Sequence, residues 1–364
     1  MRYLSLIFLL FYITSYPQQD KIFTSLDEAL KTPEKVHVLK IKSYFKNNLP
    51  ETIGYLKNLE ELQISPGDLT HLPESFGNLI NLTKLDLNSN DIEYLPNSFG
   101  NLVKLKTLNL SYNKLKSLPD SFEKLIELKE VNLSGFEENY IPKSIFILPN
   151  ISELIIKSSG IEKIPQSIKN LENLERLNLN SNNLTNLPES FKNLKKITSL
   201  HLASNKFDVF PEIITQLKLL TFLDLGFNNI REVPLSIKNL TSLNKIALSA
   251  NEISSFPPSL LSLKKLEHID LCSNNISLFP SEINRLSKLD FINLGENNIS
   301  VIPKSIENCI NLKGLYLHNN KILTIPKSIK KLSGLKELLI VANRLSDSEK
   351  IKLNQLLPNC YIVY

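Results

Sequence analysis

Apolar and polar positions alternate along this chain with a fixed period of 23 residues. In the stretch LNLSYNKLKSLPDSF, Leu108 and Leu110 alternate with Thr107, Asn109 and Ser111. That is the pattern of a strand with one buried face. Leu115 and Leu118 point back toward the same interior. Pro119 then opens a short helical segment, where its missing N–H costs little. Phe122, Leu125 and Leu128 follow at helical spacing and close the coil.

With Asn113 as origin, steps of 23 reach Tyr44, Gly67, Asn90, Asn113, Phe136, Ser159, Asn182, Asn205, Asn228, Asn251, Asn274, Asn297, Asn320 and Asn343. Ten of these fourteen positions are Asn, and a Pro stands six residues after each of the first thirteen, from Pro50 to Pro326. One coil cannot bury its apolar edge alone, so the coils must stack into a solenoid. An Asn buried at every turn is expected to hydrogen-bond backbone groups of its own and neighbouring coils.

A solenoid needs both ends sealed. Ser25 and Glu28 have capping-box spacing, which predicts a short helix to about Lys31. Ser346 and Glu349 repeat the spacing and predict a helix from Asp347 to about Leu357, carrying Ile351, Leu353, Leu356 and Leu357. The ending LPNCYIVY predicts a last strand. The opening MRYLSLIFLLFYITSYP has Arg2 and then an apolar run from Tyr3 to Ile13. The run is too short to span a bilayer and fits a secretory signal peptide, although Tyr16 and Pro17 make a poor cleavage site. The resulting division is a signal peptide at 1–16, an N-terminal cap at 17–35, repeats at 36–345 and a C-terminal cap at 346–364.

The period and pattern resemble the leucine-rich repeat, LxxLxxLxLxxNxLxxLPxxIxxL, over about residues 36–345. The caps, the uninterrupted period and the LPNC ending are most similar to exported repeat proteins of spirochaetes, leptospiral ones in particular. The resemblance implies an α/β horseshoe with a concave parallel β-sheet, short convex helices and helical caps. It also implies a non-catalytic module that binds a protein, a host receptor or matrix protein among the options, through the concave face.

Composition narrows the alternatives. Net charge is +5, with Lys and Glu interleaved, whereas a nucleic-acid binder concentrates basic charge on one face. Gly numbers only 10, and there is no Gly-rich phosphate loop. The three cysteines, Cys272, Cys309 and Cys360, are expected to stay free: Cys309 replaces a core Leu, and Cys360 lies about two coils from it, beyond disulfide reach. No cofactor is indicated. No metal site or Ser–His–Asp arrangement stands out around the five His, and solvated polar residues explain them more simply. The triplets at Asn109, Asn132, Asn183 and Asn275 follow from the repeat and are not read as glycosylation sites.

Exposed columns of the sheet are where a partner would dock. Two positions before the Asn, the run Ala203, Gly226, Ser249, Cys272 and Gly295 predicts a shallow trough about 19 Å long. Larger groups flank it: Phe222, Lys245, His268 and Phe291 in one column, His201, Asp224, Asp270, Asn293 and Tyr316 in the next, with Phe227 on the rim. Exposed aromatics beside charges are the usual makings of a binding hot spot. Phe222 and Phe291 have no packing reason in the repeat and lead the candidates. Farther toward the N-terminus, Glu61, Lys84, Asp86, Glu130 and Arg176 give a mixed, charged face. Phe136 and Ser159 interrupt the Asn ladder and Glu138 replaces an inward Leu, so the turn Gly135–Tyr140 should bulge, as a recognition loop or as a decayed repeat. An intracellular scaffold, similar to the Ras-associated repeat proteins, stands as the alternative if residues 1–16 are not a signal.

Overall fold

The structure, a computed structural model, describes residues 21–42, 48–136, 139 and 141–364. The apolar run of the proposed signal peptide, Tyr44 and, within the suspected loop, Glu137, Glu138 and Tyr140 lie outside the described residues.

Sixteen parallel strands form one sheet whose spatial order is the chain order, from Ile22–Phe23 to Tyr361–Val363. Most are three residues long, as in Thr107–Asn109. Each residue pairs with the one 23 positions on, Leu85 with Leu108 and Leu223 with Ile246. The period breaks only at the ends, where Phe23 pairs with Leu39 and Leu338 with Ile362. Leu108, Leu110, Leu115, Phe122, Leu125 and Leu128 are all buried, so each coil contributes one slice of a continuous core.

The convex side carries 3-10 turns such as Asp120–Lys124. Pro119 stands at the cap in an extended conformation, and its carbonyl accepts the Phe122 N–H at 2.9 Å. Its own lack of an N–H therefore leaves nothing unpaired there.

Each Asn binds at least three backbone groups at close range. Asn113 Oδ1 accepts from Ile92 N at 3.0 Å, and its Nδ2 donates to Leu87 O and Leu110 O, both at 2.9 Å. Asn90, Asn182, Asn205, Asn228, Asn251, Asn274, Asn297, Asn320 and Asn343 repeat the arrangement. Where Ser159 stands instead, its hydroxyl accepts from Phe136 N and donates to Lys157 O.

The caps depart in part from expectation. Helix α1 covers only Leu26–Ala29, and Ser25 makes no side-chain cap bond. Glu28 pairs instead with Lys21, 2.8 Å away, and beyond Ala29 the chain continues to Thr32 as turns, with Lys31 N donating to Glu28 O at 3.2 Å. Helix α2, Asp347–Leu356, is capped by Ser346, which accepts from Glu349 N. Glu349 Oε2 in turn accepts from Ile325 N at 2.8 Å, tying α2 to the last full coil. Leu353 and Leu357 are buried under it, while Ile351 is exposed.

Candidate functional site

The strand positions two residues before each Asn lie low in the concave face. Ala203, Gly226 and Gly295 are buried, and Ser249 and Cys272 are half-buried. They form the floor of the expected trough, but its C-terminal end is covered. His318 folds across Gly295, so closely that a Cβ on that glycine would lie 2.1 Å from His318 Cε1. The open floor thus runs from Ala203 to Cys272, three strand spacings or about 14 Å, shorter than the five-residue trough read from sequence.

The flanking aromatics do not stand free. Phe222 and Phe291 are half-buried. Phe222 packs on His201 with ring centroids 4.7 Å apart. Phe291 lies between His268 at 5.5 Å and Tyr316 at 4.8 Å, edge-on to the latter. Gly314 makes room for it: a Cβ there would meet Phe291 Cδ2 at 2.6 Å. The Tyr316 hydroxyl donates to Glu337 at 2.5 Å, and that bond holds its pKa up at about 12. Burial lowers the His201 pKa, against the opposing pull of Asp224. Phe227 and Lys245 are exposed, and Phe227 is the one flanking aromatic wholly available for contact.

Two acidic candidates already have structural work. Asp224 Oδ1 accepts from Gly226 N and Asp270 Oδ1 from Cys272 N, both at 3.0 Å. Asn109, Asn132, Asn178 and Asn293 do the same in other coils. The strand ends at this position, so the N–H two residues on needs an acceptor, and a short Asp or Asn supplies it. This role was readable in principle from the recurrence of Asp and Asn in that column. His268, which shares a strand face with Asp270, instead approaches Asp290: Nδ1 and Oδ1 are 3.2 Å apart, though not aligned as a hydrogen bond. Lys313 reaches the other oxygen of Asp290 at 3.3 Å.

The N-terminal part of the face is internally paired. Lys40 meets Glu61 at 2.8 Å, and Arg176 donates to Glu153 Oε2 at 2.9 and 2.6 Å. A cavity of about 730 Å³ lies off the sheet, between Leu118, Pro119, Ile141, Pro142, Lys163 and Pro165. It adjoins the interrupted turn, where Gly135 takes a left-handed φ of 73° and Phe136 is buried in the Asn position.

Sequence reading overlooked one cluster: ligand atoms of Cys272, Glu296 and His318 lie within 4.8 Å of one another. Cys272 and His318 are two periods apart, and the spacing alone hinted at their adjacency. All three cysteines are free thiols, and no helix among the described residues is long and apolar enough to cross a membrane.

Fold and face together define a repeat protein that presents an extended sheet surface for protein–protein contact. The family profiles "Leucine-rich repeat region" and "Leucine rich repeat" match residues 34–138 and residues 149–207, 241–299 and 292–345 respectively. The chain belongs to the leucine-rich repeat family. A solved leucine-rich repeat protein of Leptospira interrogans is 31% identical, with a TM-score of 0.85 over 94% of this chain and 100% of that one. The ectodomain of the Arabidopsis thaliana receptor kinase GASSHO1/SCHENGEN3, solved in complex with CASPARIAN STRIP INTEGRITY FACTOR 2, is 27% identical with a TM-score of 0.69, over 94% of this chain and 42% of that one. An internalin of Listeria monocytogenes shares the fold at 22% identity and a TM-score of 0.65, over 92% of this chain and 88% of that one. No curated protein sequence matches the chain.

Proposed function

We propose that this protein is a non-catalytic recognition module of an exported bacterial protein, acting in the cell envelope or beyond it. It docks a protein partner on the concave face between the coils of His201 and Tyr316. The observation that carries this reading is the arrangement of rings around a low floor. Two aromatic clusters, His201–Phe222 and His268–Phe291–Tyr316, flank the small residues Ala203 to Cys272, and Phe227 stands exposed at the rim. Rings held by packing have little conformational freedom left to lose on binding, so a few anchors can carry affinity. The likeness to a leptospiral repeat protein supports a bacterial setting, and the apolar N-terminal run supports export.

The test uses the chain against a panel of host extracellular proteins by surface plasmon resonance. For a partner so found, Phe227→Ser and the pair Phe222→Ser with Phe291→Ser are each expected to weaken binding at least tenfold, about 1.4 kcal/mol. Full-strength binding by a correctly folded double variant would place the contact elsewhere. Sequencing of the mature N-terminus addresses export separately. An intact Met1 in a cytosolic fraction would favour the intracellular scaffold.

A further inference from the structure

Cys272 and His318 stand 46 residues apart, two full coils of the stack. Two strand spacings would hold their backbones about 10 Å apart. Yet Cys272 Sγ lies 3.9 Å from His318 Nε2. Gly295, in the coil between them, makes this approach possible, because the imidazole occupies the space a side chain would fill. Glu296 is the next residue. Its carboxylate faces the same point, with Oε1 4.0 Å from His318 Nε2. Ser273 Oγ donates to the other carboxylate oxygen at 2.7 Å and steadies it.

The imidazole is poorly satisfied by protein alone. Its Nδ1 is shielded from solvent and has no hydrogen-bond partner among the described residues. Its Nε2 finds only the long contacts to the thiol and the carboxylate. Nε2, the nitrogen that faces the thiol and the carboxylate, is the one open to an ion, and a bound ion is one of the recognised ways in which a poorly partnered polar atom is satisfied.

We propose that Cys272, Glu296 and His318 bind one transition-metal ion, zinc foremost, with a fourth position open to the concave groove. A thiolate and an imidazole select against magnesium and calcium, which take oxygen ligands. One sulfur, one nitrogen and one carboxylate oxygen match the donors zinc accepts. Tetrahedral bond lengths place sulfur and nitrogen about 3.6 Å apart, and nitrogen and oxygen about 3.3 Å apart. Sulfur and carboxylate oxygen, within 4.8 Å of each other, have the farthest to close, about 1.2 Å to the tetrahedral separation, a rotamer adjustment of the exposed Glu296. On binding, the Cys272 thiol releases its proton to solvent as the metal–sulfur bond forms. Ser273 keeps the Glu296 carboxylate oriented, as outer-shell partners do in metal sites. The site stands whether or not a protein docks on the same face.

The experiment titrates zinc alone, and cobalt(II) as a spectroscopic probe, into the reduced 364-residue chain in the presence of a competing chelator. One ion per chain is expected, and the cobalt form should show thiolate-to-metal charge-transfer absorption. Cys272→Ser and His318→Gln should each weaken zinc binding by more than about 100-fold, while Cys360→Ser leaves it unchanged. A second measurement needs no variant. Zinc should protect Cys272 from alkylation, mapped by mass spectrometry, without protecting the similarly half-buried Cys360. No stoichiometric binding, undiminished binding in both variants, or unchanged alkylation of Cys272 would each overturn the assignment.

Discussion

At the scale of single residues, the Asn ladder gives the firmest energetic expectation. Asn113→Ala would leave Ile92 N and Leu110 O unpaired in a dry interior, while Leu87 O keeps its bond from Asn90 Nδ2. Each orphaned buried group costs about 1 kcal/mol or more, so the loss should be at least about 2 kcal/mol. Asn343 makes the same three bonds but is only half-buried. Water can replace much of what it supplies, and Asn343→Ala should cost about 1 kcal/mol. Urea unfolding of the two variants checks the contrast, and equal losses would mean that burial is not what makes the ladder matter. The Asn positions were legible because a polar side chain at every buried turn must bind the backbone groups that the turn leaves open. The residue just before each Asn was not. Ser204, Phe227, Ala250, Ser273 and Glu296 all take a left-handed φ between 51° and 55°, with no Gly to announce it. The conformation persists because each N–H binds the next coil, as Phe227 N does to Ser249 O at 2.7 Å.

At the scale of elements, one group of coils packs its convex turns through stacked rings and small residues. In the 3-10 turns Glu74–Asn78, Asn97–Asn101 and Asp120–Lys124, Phe76, Phe99 and Phe122 stack with centroids 6.2 Å apart. Glycines permit the approach: a Cβ on Gly100 would lie 2.3 Å from Ser121 O. Gly100→Ala must therefore push two coils apart, at about 1–3 kcal/mol. Gly334→Ala, whose nearest neighbour would be Ile310 O at 3.4 Å, should stay within about 0.5 kcal/mol. Thermal unfolding of both variants reads the difference, and a neutral Gly100→Ala would show that the turns can separate freely. The elements themselves followed from the sequence because strand, turn Asn and Pro recur in one phase. What they carry on the concave face followed less well. Alternation shows that Phe291 and His318 point outward, but not that each lies down over a glycine of a neighbouring coil. Such contacts join residues one period apart and depend on which side chain is missing, which no single repeat reveals. The α1 cap failed for a related reason. Ser25 and Glu28 have the right spacing, but Lys21 competes for the carboxylate.

At the scale of the whole molecule, every strand hydrogen-bonds only its chain neighbours, so coupling passes from coil to coil. The C-terminal cap is where this has the clearest consequence. Tyr361–Val363 pairs with Glu337–Leu339, with Ile340 N donating to Val363 O at 2.9 Å and Tyr361 N to Lys336 O at 2.8 Å. Leu353 and Leu357 close the core beneath α2. A chain ending at residue 345 would expose that strand edge together with the apolar end of the core, the combination that templates edge-to-edge association. Light scattering should then find concentration-dependent association beyond that of the full chain. Because coupling is local, hydrogen exchange should accelerate in the coils of Asn297 and Asn320, while the coils of Asn90 and Asn113 keep their protection. Uniform loss of protection along the chain would contradict that view and make the stack one cooperative unit. In either case the groove from Ala203 to Cys272 lies several coils from both seals, where a sheet edge cannot fray and the rings around it stay in place.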